Sequence, residues 1–197
     1  MDQKKLRDTL GLFTTGVIVA CAKRKNFLAE KFANANLFEN KAFTQKIFST
    51  KIFGQTLKEI FTEEFFGMTI NSFSSVSLNP PLVSFCIDNK SSNLQLFKKN
   101  HYFSLNILSE DQIELARGFA TPKNTKKWQI EPYFLGIEGS PVFENCLGFF
   151  ECKKHKIIKA GDHHIIIGEV IDFAKIQDKN PLLYNKSQFG SFGVIKS

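Results

Sequence analysis

The chain has 197 residues, of which 43% are hydrophobic and 23% charged, an ordinary globular balance that excludes a disordered or collagen-like chain. Its 26 Lys and Arg outweigh 19 Asp and Glu for a net charge of +7, yet only Arg7, Arg24 and Arg117 are arginines, so a nucleic-acid reader built on bidentate Arg contacts is not expected. No window approaches the ~20 apolar residues of a transmembrane helix, residues 1–12 lack a signal-peptide pattern, and Cys21, Cys86, Cys146 and Cys152 form no Cys-x-x-Cys pair, which together point to a cytoplasmic protein with free thiols and no membrane partner.

Leu6, Leu10 and Phe13 recur at helical spacing, so residues 3–13 read as a short amphipathic helix docked on the core by one face and ended by Gly16. Val17 to Ala22 is an apolar, β-branched run with the character of a buried strand. From Lys23 to Glu64 the pattern changes, with seven Phe, eight Lys or Arg and five Glu. From Phe27 to Phe53 its Phe residues fall five or six apart, a spacing that lines one face of neither a helix nor a strand. Residues 23–64 therefore read as an insertion within a single domain spanning 1–197, with partial helix near Gln55–Phe61.

Beyond it the chain is strand-rich. Gly67–Ile70 leads into Asn71–Leu78, where Asn79-Pro80-Pro81 stops the ladder. Leu82–Ile87 is a buried strand, and Asp88–Ser91 turns into a helix capped by Ser91 over Leu94–Lys99. Tyr102–Leu108 is a further strand, and Ser109-Glu110-Asp111-Gln112 has capping-box form before a helix that ends at Thr121-Pro122. Trp128–Gly136 reads as loop, and Cys146–Lys159 and His163–Ile176 as long strands joined at Ala160-Gly161-Asp162. Many strands, few short helices and no regular strand-helix alternation predict a mainly β, antiparallel barrel with appended helices.

The block from Phe66 to Cys86, together with Thr15-Gly16-Val17, Leu115-Ala116-Arg117-Gly118-Phe119-Ala120, Gly161-Asp162-His163 and Pro181–Tyr184 with Phe189-Gly190, resembles the short-chain flavin reductases of the FMN-binding split-barrel fold. These pieces fall in the family's order over residues 6–22 and 66–193, and the departure is the stretch between Cys21 and Phe66, where the family makes a short hairpin turn. The resemblance implies an NAD(P)H-dependent enzyme that passes hydride to FMN or FAD, a homodimer, and delivery of reduced flavin to an acceptor such as a monooxygenase. A flavin presents a flat apolar ring with polar edges, so its site needs small side chains, hydroxyls and free backbone groups. Thr69, Asn71, Ser72, Ser74 and Ser75 meet that description. Ser91, Ser92 and Asn93 offer backbone N–H groups and hydroxyls to the phosphate, and Arg117 adds a charge. By resemblance Phe119, Ala120, Tyr184 and Phe189 border the flavin, while Gly161, Asp162 and His163 serve the nicotinamide.

No general acid is expected to be essential, because the two cofactors carry the hydride chemistry. No metal is expected either, since Cys152 and His155, and likewise His163 and His164, point to opposite faces of a strand. Two other readings are a basic, non-enzymatic module that contacts nucleic acid or a protein, and a split-barrel flavoprotein that holds flavin without turning over NAD(P)H. Salt-dependent nucleic-acid binding would mark the first, and bound FMN without NADH oxidation the second.

Overall fold

The computed structural model describes residues 1–24, 51–52, 55–56, 65–121 and 124–194. In chain order these give helix α1 (Gln3–Leu10), strands β1 (Thr15–Gly16), β2 (Ile18–Lys23), β3 (Lys51–Ile52), β4 (Gln55–Thr56), β5 (Phe65–Ile70), β6 (Ser74–Leu78) and β7 (Pro81–Asp88), then helix α2 (Asn93–Lys99), strand β8 (Tyr102–Ile107) and helix α3 (Ile113–Ala120). Strands β9 (Tyr133–Leu135), β10 (Pro141–Phe143), β11 (Gly148–Ala160), β12 (His163–Lys175), β13 (Leu182–Asn185) and β14 (Gln188–Ser191) follow.

Seven strands form one antiparallel sheet in the order β5-β2-β8-β11-β12-β7-β6. Laid flat, its outer strands would stand about 29 Å apart at ~4.8 Å per strand. Yet β5 and β6 are joined by Asn71–Phe73 alone, a link of four Cα steps that spans at most about 15 Å. The sheet must therefore curl until its edges meet, which makes it a barrel left open along the seam between β5 and β6. The interior is filled by Phe66, Phe85, Phe97, Phe103, Leu105 and Ile166. The Phe97 ring, from α2, meets Phe66 and Phe85 edge-on at centroid distances of 4.9 and 5.4 Å. Gly168 is needed on β12 because a Cβ there would lie 2.5 Å from the Phe103 ring.

A second core lies outside the barrel wall. Val17, Val19 and Cys21, neighbours of the inward Ile18, Ala20 and Ala22, pack against α3 and the β9–β10 hairpin, which is why β2 reads as an unbroken apolar run. Asn106 pins this layer down. It is fully buried, donates to the Val19 carbonyl at 3.1 Å and accepts from the Phe143 N–H at 2.9 Å. The carboxyl of Glu151 is also fully buried, where it accepts from the Glu138 N–H at 2.9 Å. Burial pushes its pKa above the ordinary 4.5, against the downward pull of the Glu138, Ile137 and Ser140 amides. All four cysteines are free, and burial pushes the Cys146 and Cys152 thiols up to about 12, so both act as packing groups.

Several expectations change. Helix α1 is capped by Asp2, whose carboxylate accepts from Lys4 N–H at 2.9 Å, but it stops at Gly11 and buries none of its residues; Leu10 and Phe13 are exposed instead of docked. The strand-rich block divides between opposite edges of the sheet, and Asn79-Pro80 forms a hairpin turn that brings Pro81 opposite Leu78. The prolines thus make a turn and leave the ladder intact, Pro81 taking the tolerated first position of a strand. Trp128–Gly136 is more than loop, holding part of a 3₁₀ turn (Lys127–Gln129) and all of β9. Gln55–Thr56 is extended and pairs with Lys51–Ile52; the rest of the expected helix near Gln55–Phe61, and nearly all of the stretch 23–64, lies outside the described residues. The Gln112 side chain closes its half of the capping box on Ser109 N–H at 2.9 Å.

Candidate functional site

Along β7 exposure alternates residue by residue: Val83, Phe85 and Ile87 enter the barrel, and Ser84 and Cys86 stay half-open on its outer face. Residues directly opposite one another on paired strands share a face. Ile165 lies across from Cys86, Ile167 across from Ser84, and Ser74 across from Ser84 on the other side. The outer wall of β6, β7 and β12 therefore presents a small apolar floor of Ile165, Ile167 and Cys86 edged by hydroxyls. Ser72 is tied into that edge, its Oγ accepting from Cys86 N–H at 2.9 Å. Asn71 and Ser75 are exposed beside it, and the Ser74 hydroxyl donates to the Ser75 carbonyl at 3.0 Å. A flat apolar ring with polar edges fits such a floor.

At one end of this wall the chain makes two turns. Asp88 caps the first, its Oδ1 accepting from Lys90 N–H at 2.7 Å and its carbonyl from Ser91 N–H at 2.9 Å. Ser91 then accepts from Asn93 N–H at 3.3 Å through Oγ, while exposed Ser92 occupies the cap position without a side-chain bond. Ser91 thus does the capping work expected of it from one position farther upstream. The second turn is Gly161-Asp162-His163, where Gly161 has φ +60° and β11 reverses into β12. The backbone there takes the left-handed conformation that glycine adopts without strain. His163 Nδ1 lies 2.7 Å from Asp162 Oδ1, and that hydrogen bond holds the Asp162 carboxyl below the usual range. The Asn89 N–H donates to the Asp162 carbonyl at 2.9 Å, so the two turns touch.

The remaining expected residues gather around α3. The Thr69 hydroxyl donates to the Ala116 carbonyl at 2.6 Å, a bond that seats α3 on β5. Phe119 is buried, with its ring 4.8 Å from Trp128 and 5.4 Å from Phe143, and so belongs to the second core. Ala120 is exposed. Arg117 pairs with Glu114 at 2.8 Å and lies over the Phe189 ring at 5.9 Å, and that ring meets Tyr184 at 5.3 Å. Two neighbourhoods therefore emerge: one holds Ser72, Ser74, Ser75, Ser91–Asn93 and Gly161–His163, the other Thr69, Arg117, Tyr184 and Phe189. Sequence reasoning missed Ser84, Cys86, Ile165, Ile167 and Asn89. The alternation along β7 carried a signal for the first two, whereas Asn89 is visible only once the turns are in contact.

The sequence profile described as flavin reductase like domain matches residues 13–193. A flavin reductase from Pseudomonas putida is 36% identical over 129 residues, covering 66% of this chain and 75% of the relative. The reductase component of a Rhodococcus opacus 4-nitrophenol 4-monooxygenase/4-nitrocatechol 2-monooxygenase is 32% identical over 127 residues, covering 64% of this chain and 67% of the relative. Among solved structures, the NADH:FAD oxidoreductase of Streptomyces globisporus C-1027, in complex with NAD and FAD fragments, superposes with a TM-score of 0.74 at 27% identity, over 98% of this chain and 93% of that one.

Proposed function

This chain belongs to the flavin reductase like domain family, and on that premise we propose that it is an NAD(P)H-dependent flavin reductase that transfers hydride to FMN or FAD and supplies the reduced flavin to an acceptor such as a monooxygenase. The observation that carries the reading, beyond family membership, is the half-open wall of Ser84, Cys86, Ile165 and Ile167 with hydroxyls at its rim and the Gly161-Asp162-His163 turn at its end. Nicotinamide and flavin exchange the hydride between themselves once stacked. The residues bind and orient: the wall takes the ring, Asn71, Ser72, Ser74 and Ser75 meet its polar edge, Ser91–Asn93 face the phosphate, and His163 with its turn receives the dinucleotide. Arg117, Tyr184 and Phe189 close the site from the α3 side. Thr69 and Phe119 act one step removed, by seating α3.

The test uses the purified protein with FMN or FAD and with NADH or NADPH. Absorbance at the nicotinamide band is expected to fall only when flavin is present, and flavin is expected to quench the fluorescence of Trp128, the single tryptophan. Quenching without nicotinamide oxidation would overturn the enzymatic reading, and neither response would overturn flavin binding as well.

The assembly follows from the same reading. Exposed Leu78, Val76 and Phe173 give the barrel an apolar exterior suited to a homodimer, expected at about twice 22.4 kDa in solution. The chain is read as a single domain in which 23–64 is an insertion. In support, β2 and β5 pair from Ile18↔Ile70 up to Lys23↔Phe65, so the intervening residues leave and re-enter at adjacent arms of one hairpin. Replacing them with a Gly-containing turn is expected to preserve flavin binding. The reaction uses soluble small molecules, which suits a cytoplasmic location, and no helix among the described residues is long and apolar enough to cross a membrane.

A further inference from the structure

Asn89 uses its main chain and both ends of its side chain on the β11–β12 turn. Its N–H donates to the Asp162 carbonyl at 2.9 Å, its Nδ2 donates to the Gly161 carbonyl at 3.3 Å, and its Oδ1 meets His164 Nδ1 at 2.6 Å. An amide oxygen has no proton to give, so His164 Nδ1 is the donor and the neutral ring keeps its lone pair on Nε2. His164 lies directly across from Lys159 on one side and Ile87 on the other. It therefore shares the face of Ile87 and Ile166, and alternation along β12 sends His163, Ile165 and Ile167 to the open outer wall. Burial first, then the charges of Lys98 and Lys159, lower the His164 pKa, which favours the ring as a fixed neutral hydrogen-bonding group.

These contacts have a consequence for the reaction. The turn rests on a hairpin end whose Gly161 carbonyl and His164 ring are both held by one side chain from the neighbouring β7–α2 connection. We propose that Asn89 is a positioning residue for the nicotinamide step: it locks the Gly161-Asp162-His163 turn and the His164 tautomer so that His163 emerges at the edge of the flavin wall. The proposal rests on the reading of residues 161–163 as the dinucleotide turn. Asn89 acts through that turn and needs no contact with either substrate. Its role is also distinct from that of Asp88, which caps its own turn.

The experiment compares the full-length protein with Asn89→Ala and Asn89→Asp. Alanine removes both side-chain bonds, whereas aspartate keeps an acceptor for His164 and loses the donor to Gly161. Asn89→Ala is expected to raise the KM for the nicotinamide about tenfold, the worth of one or two neutral hydrogen bonds, with kcat and flavin affinity within about twofold of the starting protein by the same reasoning. Asn89→Asp is expected to recover part of that loss. Nitrogen-15 NMR of the His164 ring is expected to show protonation at Nδ1 in the unmodified protein and in Asn89→Asp, and a shift toward Nε2 in Asn89→Ala. An unchanged KM together with an unchanged tautomer in Asn89→Ala would overturn the proposal, as would a parallel fall in kcat, flavin affinity and melting temperature, which marks a merely structural residue. If the unmodified protein oxidises neither NADH nor NADPH, the functional reading fails, and the nitrogen signature alone decides whether Asn89 fixes the turn.

Discussion

The wall built by β2 and β8 and the wall built by β7 and β12 belong to one sheet but are covered differently. The first is buried on both faces: Ile18, Ala20, Phe103 and Leu105 fill the barrel, and Val19, Cys21, Ser104 and Asn106 lie under α3 and the β9–β10 hairpin. The second is sealed inside by Phe85, Ile87 and Ile166 and half-open outside. A strand covered twice is a scaffold, because any change on it meets packed atoms. A strand covered once can bind, because only its inner face is committed to stability. Of the candidate ligand residues, Ser72, Ser74 and Ser75 edge the once-covered wall, while Thr69, Arg117, Tyr184 and Phe189 gather around α3.

The sharpest way to break this comparison uses two adjacent residues of β12. Ile166 is fully buried and Ile165 faces the open wall. Ile166→Ala is expected to destabilise the protein by about 2–5 kcal/mol, read from urea unfolding, while leaving the flavin affinity of the folded fraction intact. Ile165→Ala is expected to cost clearly less stability and to weaken flavin binding. Equal effects from both would dissolve the distinction between the faces.

A second test probes the doubly covered side through pH. Because burial raises the folded-state pKa of Glu151 above the ordinary 4.5, the folded chain binds more protons in that window. Its contribution is fully present below about pH 4.5 and is lost as pH rises through the raised value. Melting temperatures from pH 4 to 8 should therefore decline for the unmodified protein relative to Glu151→Gln. Parallel curves would show that the carboxyl is not perturbed as its burial requires.

The smallest effect belongs to Arg117. Its ion pair with Glu114 joins side chains that are 63% and 76% exposed, so Arg117→Ala is expected to cost at most about 1 kcal/mol of stability. A measurable loss of flavin affinity in the same variant would place the α3 neighbourhood at the ligand, and no loss would confine the ligand to the β6–β7–β12 wall.

The sequence was legible where local pattern and tertiary role coincide. Val17–Ala22 reads as a buried strand because both its faces are covered, and Ala160-Gly161-Asp162 reads as a turn because Gly161 takes a positive φ. The amphipathic spacing of Leu6 and Leu10 announced α1 but not its fate, since spacing shows a face without showing what packs on it. Phe119 sits in a motif that resembles the family's flavin neighbourhood, yet its ring faces Trp128 and Phe143. Motif proximity does not distinguish a residue that lines a site from one that supports it. Asn89 carried no signal at all, because its role depends on a partner 72 residues away.

The seam between β5 and β6 has a consequence for how the protein opens. Each of these strands has a ladder partner on one side alone among the described residues, so along each of them alternate backbone N–H groups face the gap. In deuterated solvent those amides should exchange through small local movements, long before the amides of β2 and β8, whose release requires global unfolding. The barrel is thereby divided into a slow-exchanging half and a fast-exchanging half, and the fast half adjoins the wall assigned to the flavin. A bound flavin would be recorded as slowed exchange from residue 72 to residue 78, a footprint that can be read with no turnover taking place.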